Sequence, residues 1–452
     1  MPFQPVFLAT DVLLWLLVAA AVLYIVYCAR RPHLAAPWRR VFRSRAALAS
    51  LVLLSAFAAI GLLDSLHFRP RIPGTNAFSN EVLSLLDTAV WHLRVRREKT
   101  YSAPFATRLY TKEQLETPQG EPVRDYPRLA YGGRDLHDES RLALDVALRA
   151  TGGLGIALLI GVAALFVLRP LMRRRPDVPW NAALVAFGVL LAIATPLFVL
   201  SFEYHVFGTD KVGQDVFYQS LKSVRTALVI GTLSTLTMLP FGIAFGIIAG
   251  YFKGWVDDAI QYVYTTLNSI PAVLLIAAAV LMMQVYIDTH PDLFPTAAQR
   301  ADFRLLMLCL ILGLTSWTGL TRLLRGEALK LSELDFIQAA HAFGVSDTRI
   351  LARHILPNVA HIVIISLVMD FSGLVLAEAV LSYVGVGVDP ATTSFGTMIN
   401  AARLEMGRDP LVWWSLTSAF VWMLLLVLSA NLFADAVRDG FDPRVRVGAL
   451  AV

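Results

Sequence analysis

The sequence has no Gly-Lys dipeptide, and therefore no GxxxxGK(S/T) phosphate-binding loop; it also has no CxxC and no HExxH pattern. Any ATP chemistry linked to this chain must be done by another one. Cysteine is nearly absent: Cys28 and Cys309 both fall in or beside apolar runs, so they say nothing about disulfides or redox compartment. Charge is scarce too, at 16% of residues against 56% hydrophobic, and the mean hydropathy is +0.61. That balance excludes an ordinary soluble domain.

What the chain does have is apolar runs near the ~20 residues that a helix needs to cross ~30 Å of hydrocarbon. Nine are present, at 10–28, 46–64, 149–168, 182–202, 226–250, 259–285, 303–321, 359–385 and 412–434. No strand-like alternation suggests a membrane β-barrel. The expected fold is an all-α polytopic membrane protein. The first run follows MPFQPVFLAT, which lacks the basic n-region of a cleavable signal peptide. Basic residues come after it instead, at Arg30, Arg31, Arg39, Arg40, Arg43 and Arg45. By the positive-inside rule this cluster is cytoplasmic and the N-terminus faces out. Nine crossings then put Arg169, Arg173–Arg175, the 322–358 loop and the tail with Arg438, Arg444 and Arg446 inside. The net charge of +5 is explained by this edge arginine, and no nucleic-acid partner is expected.

Residues 66–148 interrupt the membrane pattern with mixed charge, tyrosines and the turn signals Pro73-Gly74 and Gly132-Gly133. An insertion longer than ~60 residues crosses regardless of its arginines. Val82, Leu85, Leu86, Ala89, Val90 and Leu93 recur at helical spacing, which predicts one amphipathic helix there. In the fifth run, Gly242, Gly246 and Gly250 lie on one helix face and allow a close packing contact.

The polar stretch 326–358 reads as a helix–turn–helix. Ser332 and Asp335 suggest a capping box before a helix over 333–343. Ala339 and Ala340 allow close approach, and Gly344 can end the helix in a left-handed conformation. Ser346 or Asp347 can cap a second helix to about His354. Pro357 then reopens the chain before the eighth run.

These residues resemble the EAA loop of ABC-importer permeases, EAAxxxG followed after nine residues by IxLP. The loop appears here as Gln338-Ala339-Ala340-His-Ala-Phe-Gly344 with Leu356-Pro357. Gln338 stands for the usual glutamate and His354 for isoleucine. Further segments are similar to the C-type membrane subunit of dipeptide and oligopeptide importers. His205-Val-Phe207-Gly208-Thr209-Asp210-Lys-Val-Gly213-Gln-Asp215 resembles HxFGTDxxGRD, with Gln214 in place of arginine. Glu378-Ala-Val-Leu-Ser-Tyr-Val-Gly-Val-Gly387 resembles EAxLSFLGLG. Asp435-Ala-Val-Arg-Asp439-Gly-Phe-Asp442-Pro443 resembles GxxxRDxLDP, with Ala434 and Phe441 as departures.

The resemblance covers about 203–445, and the stretch around 38–54 looks like the family's first span. It implies a type I ABC-importer permease core at 226–435, with the FGTD loop at 203–225 before it and a cytoplasmic tail at 436–452. Of the N-terminal helices (1–65) the first would be an addition to the usual six-span plan, as would the 66–148 insertion and an additional helix pair at 149–202. The implied setting is a bacterial inner membrane. The implied partners are a homologous second permease, two cytoplasmic ATPases and an extracytoplasmic solute-binding protein. The chain would itself bind no cofactor and no metal and would not be an enzyme. The 66–148 insertion would be either a cap on the membrane surface or a docking or gating element for the binding protein.

Two intramembrane acids, Asp370 and Glu378, are eight residues apart on roughly one helix face. They could line the translocation path; Glu378 reads better as a structural residue, and Asp370 reads equally either way. His290 and His341 have no second ligand at metal-binding spacing and read as solvated loop residues. The 149–202 pair carries no ionisable residue at 151–168 or 181–201, which suits a peripheral position. A secondary transporter using Asp370 and Glu378 would call for inverted repeats and broken helices, and a membrane enzyme for a catalytic cluster; neither is visible. Within the ABC class, nickel or microcin-like substrates and export remain alternatives to peptide uptake.

Overall fold

The computed structural model describes residues 3–441 apart from 73, 75–76, 117–121, 137 and 295. In chain order, strand β1 (Phe3–Val6) leads into helices α1 (Ala9–Ala29), α2 (Pro32–Val41) and α3 (Arg45–Asp64). The insertion supplies β2 (His67–Pro70), β3 (Leu83–Ser84), α4 (Leu85–Ala89), α5 (Trp91–Val95), β4 (Glu113–Glu116) and β5 (Pro122–Asp125). Helices α6 (Leu142–Arg174), α7 (Trp180–Leu200), α8 (Val216–Phe252), α9 (Gly254–Ser269) and α10 (Ala272–Thr289) follow. The last part holds α11 (Ala297–Ser316), α12 (Thr318–Ser332), α13 (Asp335–Ala342), α14 (Asp347–Ile350), α15 (Leu356–Val384), α16 (Phe395–Glu405) and α17 (Trp414–Phe441). Among the described residues, nine helical segments are long and apolar enough to cross a membrane. The helical fold class therefore holds, with two small antiparallel sheets added: β1-β2-β3, with Phe3 opposite Pro70 and His67 opposite Ser84, and the β4-β5 hairpin.

Several local expectations give way. The run at 259–285 is two helices, because Ile270 is extended (φ −90°, ψ 130°) ahead of Pro271. A residue before proline is sterically pushed out of the α region, and proline brings no N–H to continue the ladder. The run at 303–321 becomes α11 and α12, which meet at Trp317 and extend to Ser332. The single helix expected over 82–93 is broken at Val90 (φ −113°, ψ 33°) into α4 and α5. Its apolar spacing survives the break: Leu86, Val90 and Leu93 pack with Phe217, Tyr218 and Leu221. The Pro73 half of one turn signal and the tail 442–452, with Asp442 and Pro443, lie outside the described residues.

The chain forms two compact units. The first comprises 1–7, 42–227 and 392–429 and holds the insertion, the α6–α7 pair and the segment 203–215. In it α6 packs along α7, where Gly153 abuts Pro196 and Thr195 Oγ1 donates to the Gly153 carbonyl at 3.0 Å. Leu158, Leu159, Phe166 and Val167 are exposed on α6. The second unit comprises 8–41, 228–391 and 430–452. Here the glycine face of α8 meets α12: a Cβ on Gly246 would sit 2.7 Å from Leu324 Cβ, and one on Gly250 2.6 Å from Ala328 Cβ. Close backbone approach lets Met238, Ile247, Leu320, Leu324 and Ala328 form one core with Ile337, Ile350, Ile355 and Val359.

Candidate functional site

The 326–358 stretch is built on that core. Ile337, Ile350 and Ile355 are buried in it, and the Tyr251 hydroxyl donates to Asp347 Oδ1 at 2.7 Å. Alongside, Arg325 grips Asp257 with two hydrogen bonds of 2.6 Å. This paired contact holds the Asp257 carboxyl below the usual carboxylate range. Gly344 has φ +74°, as its sequence position suggested. Gly344 N donates to His341 O at 2.9 Å and Val345 N to Ala340 O at 3.1 Å, so α13 ends in a Schellman motif.

The rest of the capping pattern is different. Ser332 Oγ donates back to Leu329 O at 2.8 Å, and Leu334 is the N-cap of α13, so no capping box forms. Ser346 occupies the N-cap of α14 without a capping bond from its side chain to the backbone. Pro357 does not reopen the chain. Residues Leu351–Ile355 form a π-turn that runs directly into α15, with Pro357 in its first turn. The wider turn accommodates a ring that would otherwise clash with the carbonyl four residues back. Gln338 is exposed, and its Nε2 donates to the Glu333 carbonyl at 3.1 Å, a bond that a glutamate carboxylate could not make. Ala339 and Gly344 are exposed as well, as are Leu334, Phe336 and Phe343, the last at 87%. Leu356 and Pro357 are exposed at the start of α15. A firmly seated element thus presents Phe336, Ala339 and Phe343 on its outer surface, while Ala340 packs partly against the core.

In the other unit the 207–215 segment is a compact loop. Asp210 Oδ1 accepts from Val212 N at 3.0 Å and Gln214 N at 2.8 Å. Asp215 caps α8, its Oδ1 accepting from Phe217 N at 2.8 Å. Gly208 and Gly213 both have φ +71°. Thr209 is fully buried and its hydroxyl donates to Thr100 O at 2.9 Å, while Trp414 Nε1 donates to Thr209 O at 2.9 Å. Phe207 stacks edge-on against Phe217.

What the sequence did not announce is how tightly the insertion holds this loop. Glu98 N donates to Gly213 O at 2.9 Å, and Thr209 N to Ser102 O at 3.1 Å. The Glu98 carboxylate accepts from the backbone N–H groups of Ala130, Tyr131 and Gly132. It also faces His205 Nε2 at 3.3 Å, while His205 Nδ1 lies 2.7 Å from Asp215 Oδ2. His205 is a motif residue, but nothing in the sequence around Glu98, set among Arg96, Arg97 and Lys99, marks it as the second partner. A second joint places Lys222 Nζ against Asp64 and Asp87, with Ser84 closing a capping box on α4. Burial pushes the Asp87 carboxyl up, but Lys222 and Ser84 outweigh it and hold it low.

Burial alone would push the His205 imidazole down. The hydrogen bonds that the ring donates to Asp215 and Glu98 outweigh it and raise the imidazole to about 9. Because the folded value lies above the ~6.5 of a free imidazole, the protonated clamp contributes fully below pH ~6.5. That contribution fades as pH rises through about 9 and is on the order of 3 kcal/mol. The thermal midpoint of the purified protein is therefore expected to fall between pH 7 and 10. His205→Gln should lower the midpoint at pH 6 and flatten the profile. An unchanged slope in that variant would remove His205 as the cause.

Asp370 and Glu378 share α15 but not an environment. Glu378 is buried and accepts from Ser382 Oγ at 2.6 Å, whereas Asp370 is half-buried. His290 stacks on Tyr286 and bonds its carbonyl, and His341 is exposed. No metal-holding cluster occurs among the described residues.

Residues 242–447 match the model of the family described as binding-protein-dependent transport system inner membrane component. The oligopeptide transport system permease protein OppC of Mycobacterium tuberculosis is 31% identical over 293 residues, covering 62% of this chain and 94% of that protein. The dipeptide permease DppC of Lactococcus lactis subsp. cremoris is 30% identical over 242 residues, 54% of this chain and 64% of its own. The glutathione permease GsiD of Pectobacterium atrosepticum is 30% identical over 242 residues, 54% and 73% of the two chains. An inward-facing structure of the MetNI methionine ABC transporter overlaps at a TM-score of 0.37 and 16% identity, over 50% of this chain and 97% of that one; so slight a likeness carries no argument. A match that runs through almost all of a permease makes this chain a member of the binding-protein-dependent transport system inner membrane components, a multi-pass permease subunit of an inner membrane.

Proposed function

We propose that the chain forms half of the translocation path of an ATP-driven importer of peptides or similar small solutes. The observation that carries this is the α13–α14 element. Its core side is locked to α8 and α12, and its free side is apolar and ends in a Schellman turn. Gln338, Ala339, Ala340, Gly344, Leu356 and Pro357 would form the contact with separate ATPase subunits, which hydrolyse ATP. Peptide is the favoured cargo because the three permeases matched above are named for oligopeptide, dipeptide and glutathione transport. A homologous permease and a solute-binding protein would complete the assembly. Purification in mild detergent should bring down two ATPases and a second permease. Proteoliposomes of that complex should take up peptide only with ATP and the binding protein. A chain that purifies alone and transports without ATP would sink this reading.

In the same reading the N-terminus, the insertion and the 207–215 loop face outward, and the arginine-rich 29–45 segment and the α13–α14 element face the cytoplasm. The α6–α7 pair would be peripheral, its apolar outer surface toward lipid. With Cys28 and Cys309 replaced, single cysteines at Lys112 and Val345 should react with an impermeant maleimide from opposite sides of the membrane. Reaction from one side only would refute the topology.

A further inference from the structure

Several ionisable side chains inside the membrane-spanning helices have partners among the described residues. In the first unit Lys222 is held by Asp64 and Asp87, and Arg149 pairs with Asp145 at 2.8 Å. In the second, Asp302 accepts from Thr10 N at 3.2 Å, Arg304 lies 3.6 Å from Asp389, and Glu378 is bonded by Ser382. Asp370 is different. It stands midway along α15, fourteen residues from either end, and its carboxylate makes no hydrogen bond or ion pair among the described residues. Asp370 sits at the border of a packed face: Leu374, four residues on, is buried, and Phe371 and Val375 beyond it close on Gly231. The side it shares with Gly373, three residues on, is open, with no atom within 4 Å of where a Gly373 Cβ would be.

A carboxylate at mid-span facing hydrocarbon is too costly to be retained uncompensated, so this face meets water or a cation. Every peptide with a free amino terminus carries one cation whatever its sequence, and a lone carboxylate beside a gap is matched to that group. We propose that Asp370 recognises the terminal ammonium of the transported peptide on an aqueous face of α15, with Gly373 leaving room for it. This rests on the permease reading above and names the chemical group that reading leaves open.

The test uses the assembled complex in nanodiscs with Cys28 and Cys309 replaced by serine and Gly373→Cys introduced. The cysteine should react with a water-soluble trimethylammonium methanethiosulfonate. Millimolar trialanine should slow that reaction at least fivefold, and its des-amino analogue N-propionyl-dialanine should not. Asp370→Asn should erase the difference between the two compounds, and Asp370→Glu should keep it. Equal protection by both compounds, protection by neither, or a cysteine that is silent in the complex overturns the proposal. Silence in the complex with reaction in the isolated chain would show instead that a second subunit covers this face. Failure of the permease reading looks different: no ATPase would co-purify, and the wild-type protein would show no ATP-driven uptake.

Discussion

Alanine at Gly213 should unfasten the insertion from the rest of its unit. A left-handed residue with a side chain costs roughly 1–2 kcal/mol, and here the new Cβ would fall 1.8 Å from the Glu98 carbonyl oxygen. The backbones must part, which breaks the 2.9 Å bond from Glu98 N to Gly213 O and draws Glu98 away from His205. A buried imidazolium that loses one of its two carboxylates adds a further cost, so a total loss of about 3–5 kcal/mol is expected. The measurements are thermal unfolding in detergent and tryptic cleavage within 66–148, which should become much faster. Gly74→Ala is the internal control. Gly74 has φ +81° but no atom within 4 Å of the added Cβ, so it should show the conformational cost alone. Equal and small effects at both glycines would mean that the interlock is not what secures the loop.

Valine at Gly344 should act on coupling with little effect on stability. No atom lies within 4 Å of the Cβ position, so packing is not disturbed. The strain is in the backbone: φ +74° is hostile to a β-branched residue. The cheapest relief is to reopen the Schellman turn, which swings Phe343 and the end of α13 away from their present orientation. Transport by the assembled complex should fall at least tenfold while membrane insertion and the thermal midpoint change little. Gly344→Asn, which tolerates the left-handed region, should recover much of the activity. Full transport in the valine variant would count against this turn as the ATPase contact.

How much of this was readable in advance depended on whether the cause was local. Span number, Gly344 in its left-handed turn and the close-packing glycines of α8 follow from run length and from what glycine permits. The break at Pro271 is equally local; hydropathy alone simply passes over it. The π-turn before Pro357 was hidden, because proline signals either an end or a distortion and the buried Ile350 and Ile355 decide between them. The absent capping box at Ser332 reflects competition: its hydroxyl is taken by a carbonyl of its own helix. Glu98 was unreadable for a different reason. Its partner is 107 positions away, and no spacing rule links an acid in a polar insertion to a histidine beyond two membrane helices.

That separation matters for how the molecule is made. Glu98 leaves the ribosome long before His205, and between the two the hairpin of α6 and α7 must be threaded into the bilayer. In the interval the three backbone N–H groups at 130–132 that bond the Glu98 carboxylate are already made. Only when the 205–215 segment arrives can the imidazolium close the joint. The clamp can therefore close only when both helices between the two residues have crossed: a chain in which one of them has stayed out leaves Glu98 and His205 on opposite sides of the membrane.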